Sequence, residues 1–267
     1  MLRVLCSGGL ALLTASMPAT ALQLIDEPKG LAWSSSEVAV AGVESTRLIL
    51  ADAERLNERG CRTHCERIER VWMQLRRAFR DQQLVRQTAL PLTLHVLQSD
   101  YLDAFAAPDG TLVLSEAFVR ERDLTDAQLA FVLAHEVVHV LLEHERETLT
   151  AALSLLPSSV KRTVSDVYVE LDYNFDLLKS IEPSRHQAEF EADALGIQLA
   201  AMAGYPPQEQ MKFMENEAQR ELATSVFVST HPTAESRLIR LRAQLPLSQR
   251  VYQHALENAL EPSADRD

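Results

Sequence analysis

The chain has 267 residues, 46% hydrophobic and 24% charged, with a formal net charge of −12. That size and balance suit one soluble globular domain. The acidity opposes binding to phosphate backbones, so nucleic-acid partners are set aside. Only eight glycines and 6% aromatic residues argue against a sandwich or barrel, and the abundance of Ala, Leu, Glu and Arg predicts a mainly helical fold.

Residues 1–21 read as an export signal: Arg3 supplies the positive start, Val4 to Ala15 carry no charge, and Ala19-Thr20-Ala21 offers a cleavage site. The apolar run is too short to span a bilayer, and no later segment is long and apolar enough to do so. The expected mature chain is a single domain over residues 22–250 with a polar tail at 251–267. Residues 22–42 read as extended. Helical periodicity covers 44–58 and 62–84, the second with one apolar face of Ile68, Val71, Trp72, Leu75 and Phe79. Cys61 and Cys65, the two cysteines beyond the signal, are four residues apart. On a helix that spacing gives a Cα separation of roughly 6 Å, within disulfide range. A disulfide is the favoured reading; free thiols and a Cys61/His64/Cys65 metal site are the alternatives.

Pro91 to Leu97 alternates and predicts a strand. Asp109-Gly110 signals a turn, followed by a short strand at Thr111, Leu112, Val113 and Leu114. Thr125 starts a helix with Asp126 in its first turn. Residues 149–182 are helical with weak periodicity. A helix at 185–203 ends at Gly204 and Pro206-Pro207. Further helices cover 207–222 and 233–244, and the last ten residues are polar and loose.

The chemistry centres on His135-Glu136-Val137-Val138-His139. On a helix, positions i and i+4 share a face, so both imidazoles reach one ion, and Glu136 stands beside it as general base. The flanking run from Ala130 to Leu142 is apolar, and buried imidazoles there need a partner that a metal supplies. A catalytic zinc site takes three protein ligands. His144 lies five residues past His139 and is set aside as the third. The metzincin pattern needs glycine where Leu142 stands, so it is rejected. The better ligand is Glu189. Asp193, one turn on, accepts the free ring N–H of a histidine ligand. Gly196 and Ala200 continue that face and allow close packing on the His135 helix. Glu191 ranks second as ligand, with a solvated surface acid as its other reading.

Four motifs in order then carry a resemblance. H-E-x-x-H, E-x-E-A-D-x-x-G from Glu189 to Gly196, Thr230-His231-Pro232 with Arg237, and the strand entry Ala104 to Gly110 resemble the CAAX-type gluzincin zinc metallopeptidases, the HtpX/BepA-like group. The likeness covers roughly residues 60–245. It implies an α+β, mainly helical, zincin-like fold with an H-E-x-x-H helix, a small sheet with an edge strand at the site, and a third-ligand helix. It implies one zinc ion on His135, His139 and Glu189, catalysis by Glu136, support from Asp193, and a place near the site for His231 and Arg237. These last two are expected to stabilise an oxyanion; His231 is alternatively a fourth, regulatory ligand. The segment Thr111 to Leu114 is expected to be the edge strand that pairs with extended substrate. The resemblance points to an exported, soluble member without spanning helices or C-terminal repeats. It would be an endopeptidase acting on unfolded proteins in envelope quality control, periplasmic or else secreted. The competing reading is a zinc-containing chaperone or assembly factor for outer-membrane proteins.

Overall fold

The computed structural model describes residues 30–81, 91–223 and 231–260. The expected signal segment at 1–21 lies outside the described residues, as does the tail beyond residue 260.

Ser34 starts the first helix earlier than the sequence reading placed it. Its hydroxyl accepts the Glu37 N–H and the Glu37 carboxylate accepts the Ser34 N–H, a reciprocal capping box. Helix α1 therefore runs Ser35–Arg55, where an extended segment was expected up to residue 42. Helix α2, Cys65–Asp81, buries Ile68, Val71, Trp72, Leu75 and Phe79, the face that the periodicity marks. Cys61 lies in the loop before α2, not on it. The Cys61–Cys65 disulfide closes there with a Cα separation of 5.4 Å.

Strands β1 (Thr93–Leu97), β2 (Ala104–Ala106) and β3 (Thr111–Ser115) form a sheet of order β1-β3-β2. β1 runs parallel to β3 with Thr93 opposite Thr111, and β2 antiparallel with Phe105 opposite Val113. The β2–β3 hairpin turns at Asp109-Gly110. Gly110 holds a φ of +87°, and the Asp109 carboxylate accepts the Thr111 N–H at 3.0 Å. This order corrects one expectation. Thr111, Leu112, Val113 and Leu114 do not form an edge: both sides of β3 are paired, and Leu112 to Leu114 are buried. Among the described residues, the strand with one open side beside the central helix is β2.

The short helix α3, Glu116–Glu121, follows β3 directly, capped by Ser115. Helix α4, Asp126–Leu141, starts at a Thr125/Gln128 capping box, and its first-turn Asp126 pairs with Arg67 and Arg70 of α2. It is buried almost all round, with Leu129, Ala130, Leu133, Ala134, Val137 and Val138 inside the main core. Residues 149–182 resolve into α5 (His144–Leu155), α6 (Val164–Tyr173) and the start of α7 (Phe175–Met202). α1, α5, α6 and the start of α7 share a separate cluster built on Val38, Leu149, Ala152, Val167 and Ile181. α7 absorbs Pro183 and so begins ten residues before the predicted start at 185.

Helices α8 (Pro207–Ala223) and α9 (Ala234–Leu260) complete the described chain. α9 continues through Pro246 well past residue 244, so residues 251–260 of the expected polar tail are helical. A proline removes one hydrogen bond, and the helical turns on both sides hold the direction. Among the described residues, no helix is long and apolar enough to cross a membrane.

Candidate metal centre

α4 and α7 cross where His135 meets Gly196, and that crossing brings three ligand atoms from distant positions together. His135 Nε2 and His139 Nε2 are 3.1 Å apart. Glu189 on α7 places Oε2 3.5 Å from His135 Nε2 and Oε1 3.5 Å from His139 Nε2. A tetrahedral zinc ion with bonds of about 2.0–2.1 Å would set its ligand atoms roughly 3.3–3.4 Å apart. The three separations bracket that value. The donor set also fits. Buried Glu189 Oε2 accepts no hydrogen bond, and the two ring nitrogens, 3.1 Å apart, have only each other as hydrogen-bond partner. A divalent cation satisfies all three lone pairs at once.

The next layer fixes these ligands. His135 Nδ1 lies 3.1 Å from Asp193 Oδ1, one α7 turn past Glu189. Arg237 of α9 grips Asp193 with two hydrogen bonds, Nε to Oδ2 at 2.8 Å and Nη2 to Oδ1 at 2.7 Å, and places Nη1 3.4 Å from Glu189 Oε2. All three of its nitrogens thus face the carboxylates of the ligand helix. That geometry favours a clamp over the oxyanion role expected for Arg237. His231 stands on the open side, more than half exposed, with Nδ1 3.2 Å from Glu189 Oε1.

The electrostatics follow from burial and these pairings. Burial opposes charge on His135, but its contacts with Asp193 and Glu189 prevail and hold it up at about 10. Burial and the neighbouring His135 push His139 well below its ordinary value. Burial raises Glu136, opposed by the positive field of His135, His231 and Arg237. A divalent cation adds to that field and favours the carboxylate, the form a general base needs. Burial disfavours the Glu189 charge, yet His135, His231 and Arg237 bring its pKa far below the usual carboxylate range.

Sequence reasoning missed two features here. His144, set aside as a ligand, lies with its ring against His139 on the side away from the converging atoms. Glu191, read as a rival ligand or a surface acid, contacts that ring. The signal was five-residue spacing across a helix break, which no helical wheel represents. The second cluster with ligand chemistry is Cys61, Cys65 and Glu116. It does not offer a metal site in this state. The sulfurs are bonded to each other. Glu116 is consumed by the backbone N–H groups of Arg62, Thr63 and His64 at 2.5–2.7 Å and by the Gln98 amide.

Residues 69–245 match the model of Peptidase family M48. Among curated proteins, the chain is 29% identical to the mitochondrial metalloendopeptidase OMA1 of Saccharomyces cerevisiae over 161 residues, covering 57% of this chain and 46% of that protein. It is 28% identical to the beta-barrel assembly-enhancing protease of Escherichia coli (strain K12) over 166 residues, covering 57% and 34% respectively. It is 27% identical to the mitochondrial metalloendopeptidase OMA1 of Danio rerio over 194 residues, covering 63% and 38%. The matched regions thus span less than half the length of these relatives.

Proposed function

Because this chain belongs to peptidase family M48, we propose that it is a zinc-dependent endopeptidase, with His135, His139 and Glu189 holding the ion and Glu136 moving the proton. The observation that carries this is the convergence of two imidazole nitrogens and an unsatisfied buried carboxylate oxygen at tetrahedral-edge spacing, with Glu136 next to His135 on α4 and in the field of the same groups.

Bound between those atoms, zinc would supply Lewis acidity at a scissile carbonyl and lower the pKa of water. Glu136 accepts the proton of the attacking water and delivers it to the departing amine nitrogen, which otherwise leaves as a poor anion. Asp193 and Arg237 keep His135 and Glu189 in place. His231, at the mouth, is positioned to donate to the carbonyl oxygen as charge develops on it. An extended substrate would lie along the open side of β2, Ala104–Ala106, adding a strand to the sheet. That mode selects unfolded over folded chains, because only an extended backbone offers its hydrogen-bonding groups in register.

The resemblance of the first residues to an export signal, and similarity to a protease named for β-barrel assembly, support a periplasmic enzyme acting on unfolded envelope proteins. A second reading is an assembly factor with latent proteolysis. It is favoured by His231, whose ring contacts the Glu189 carboxylate at 3.2 Å and would compete with an ion for it. The deciding test is hydrolysis of casein by the zinc-loaded full chain and its Glu136→Gln variant, with cellular complementation by the same variant. Cleavage lost with Glu136→Gln, and no complementation, supports the peptidase. Full complementation by Glu136→Gln supports the assembly factor.

A further inference from the structure

The chain leaves α4 at Leu141 and enters α5 at His144 with no loop to spare. The reversal is made by Glu143, a non-glycine residue at φ 55° and ψ 37° in the left-handed region. Such a conformation is uncommon for a residue with a side chain and persists where its surroundings hold it. Here the Glu143 carboxylate holds Arg146, whose Nε in turn donates to the Trp33 carbonyl ahead of α1. The corner places the first residue of α5 beneath the last turn of α4. The His144 ring, 3% exposed, meets His139 edge-to-face with centroids 4.8 Å apart at 79°.

The polar atoms of this contact are specific. His144 Nδ1 lies 3.0 Å from His139 Nδ1, and His144 Nε2 lies 3.4 Å from Glu191 Oε2. Gln187 Nε2 donates to the other oxygen of Glu191 at 2.7 Å. If His139 gives its Nε2 lone pair to a metal, its proton must sit on Nδ1. That proton then needs an acceptor, and His144 Nδ1 is the one in place. His144 must therefore carry its own proton on Nε2, which points at the Glu191 carboxylate. Every donor in the chain from Gln187 through Glu191 and His144 to His139 then has an acceptor, with one arrangement of protons.

We propose that His144 is a positioning residue for His139: its Nδ1 accepts the His139 Nδ1–H and, backed by Glu191, holds that ring in the tautomer and orientation that present Nε2 to the metal. The two histidine ligands are thus supported differently. His135 leans on a carboxylate, Asp193, clamped by Arg237; His139 leans on a buried imidazole delivered by the α4–α5 corner. This inference rests on the zinc site proposed above.

Zinc affinity of the full chain, measured by competition with a fluorescent chelator, tests it. His144→Phe keeps the ring volume and removes the acceptor, and is expected to weaken zinc binding roughly 10- to 100-fold, the usual effect of losing such a partner. His144→Asn, whose side-chain oxygen falls near the place of Nδ1, is expected to recover most of that loss. Glu191→Gln is expected to weaken binding in the same direction by less. Nitrogen-15 spectra of zinc-loaded wild type should show His144 protonated on Nε2 and His139 on Nδ1, a reading that does not depend on whether the variants fold. Wild-type affinity in folded His144→Phe, or His144 protonated on Nδ1, overturns the proposal while leaving the zinc site standing. A wild type that binds no zinc removes both.

Discussion

The backbone of His135 stands so close to Gly196 that a methyl group on Gly196 would lie 3.0 Å from the His135 nitrogen and 3.1 Å from its Cα. The turn of α4 that carries the candidate ligands and helix α7 touch here through bare backbone, and backbone cannot yield as a flexible side chain can. Alanine is a better helix former than glycine by roughly 1 kcal/mol, yet overpacking of this kind costs about 1–3 kcal/mol. Gly196→Ala is therefore expected to lower unfolding stability by about 1 kcal/mol net, and Gly196→Val by more, with loss of zinc occupancy. Denaturant melts and metal analysis check both.

On the proposed assignment, variants of Glu136 and Glu189 separate chemistry from binding. Glu136→Gln should keep stoichiometric zinc and lose roughly 10²–10⁴-fold in casein hydrolysis, the range for removing a general base. Glu189→Gln should lose the zinc itself, while Glu191→Gln keeps it, though held more weakly. Mass spectrometry of the native proteins distinguishes them. Zinc lost only from Glu191→Gln would move the third ligand.

Arg237 is half-buried against two buried carboxylates, so its removal takes a fixed positive charge from Asp193 and Glu189. Arg237→Ala is expected to cost about 3–5 kcal/mol of stability and to lower zinc affinity through Asp193 and Glu189. Arg237→Lys should rescue little, because one ammonium cannot match the two-pronged grip on Asp193. A lysine variant with normal stability and zinc affinity would show that only charge matters.

His231 touches Glu189 from the open side of the site. As an oxyanion donor, its replacement by alanine should reduce hydrolysis by about 10²–10³-fold at unchanged zinc content. As a covering ligand, the same change should raise activity. A rate that moves in neither direction removes both roles.

Glu116 makes acid stability a local readout. Burial opposes its charge, but the Gln98 amide and the N–H groups of His64, Arg62 and Thr63 bring its pKa down to about 2 from 4.5. A depressed carboxylate stabilises the fold above its unfolded value, and that contribution fades as pH falls from about 4.5 towards 2. Its full size, from the shift, is on the order of 3 kcal/mol. Glu116→Gln should flatten that part of the stability–pH profile, and denaturant titrations at pH 3 and pH 6 measure it.

Local pattern was enough to put the candidate ligands on shared helix faces. Two histidines at i and i+4 in an apolar run, and a Glu and Asp at i and i+4 on a later helix with Gly196 continuing the face, are periodicities that a regular helix turns directly into geometry. The buried face of α2 and the Asp109-Gly110 turn were legible for the same reason. The Ser34/Glu37 capping box was written in the sequence too, but the polar residues around it hid the helix it starts.

Relationships between elements were settled only by the tertiary structure. Whether Thr111 to Leu114 is an edge depends on which strands pair beside it. Ala104–Ala106 takes one side and Thr93–Leu97 the other, and hydrogen bonding to distant strands leaves no mark on the residues that receive it. The family resemblance put Arg237 near the site, but its grip on Asp193 appears only when α9 is laid against α7. His144 reads as a failed ligand until the left-handed corner at Glu143 turns its ring beneath His139. Spacing along one helix is local and therefore visible in the sequence, whereas a contact made across a helix break or between helices depends on packing directions that only the assembled core defines.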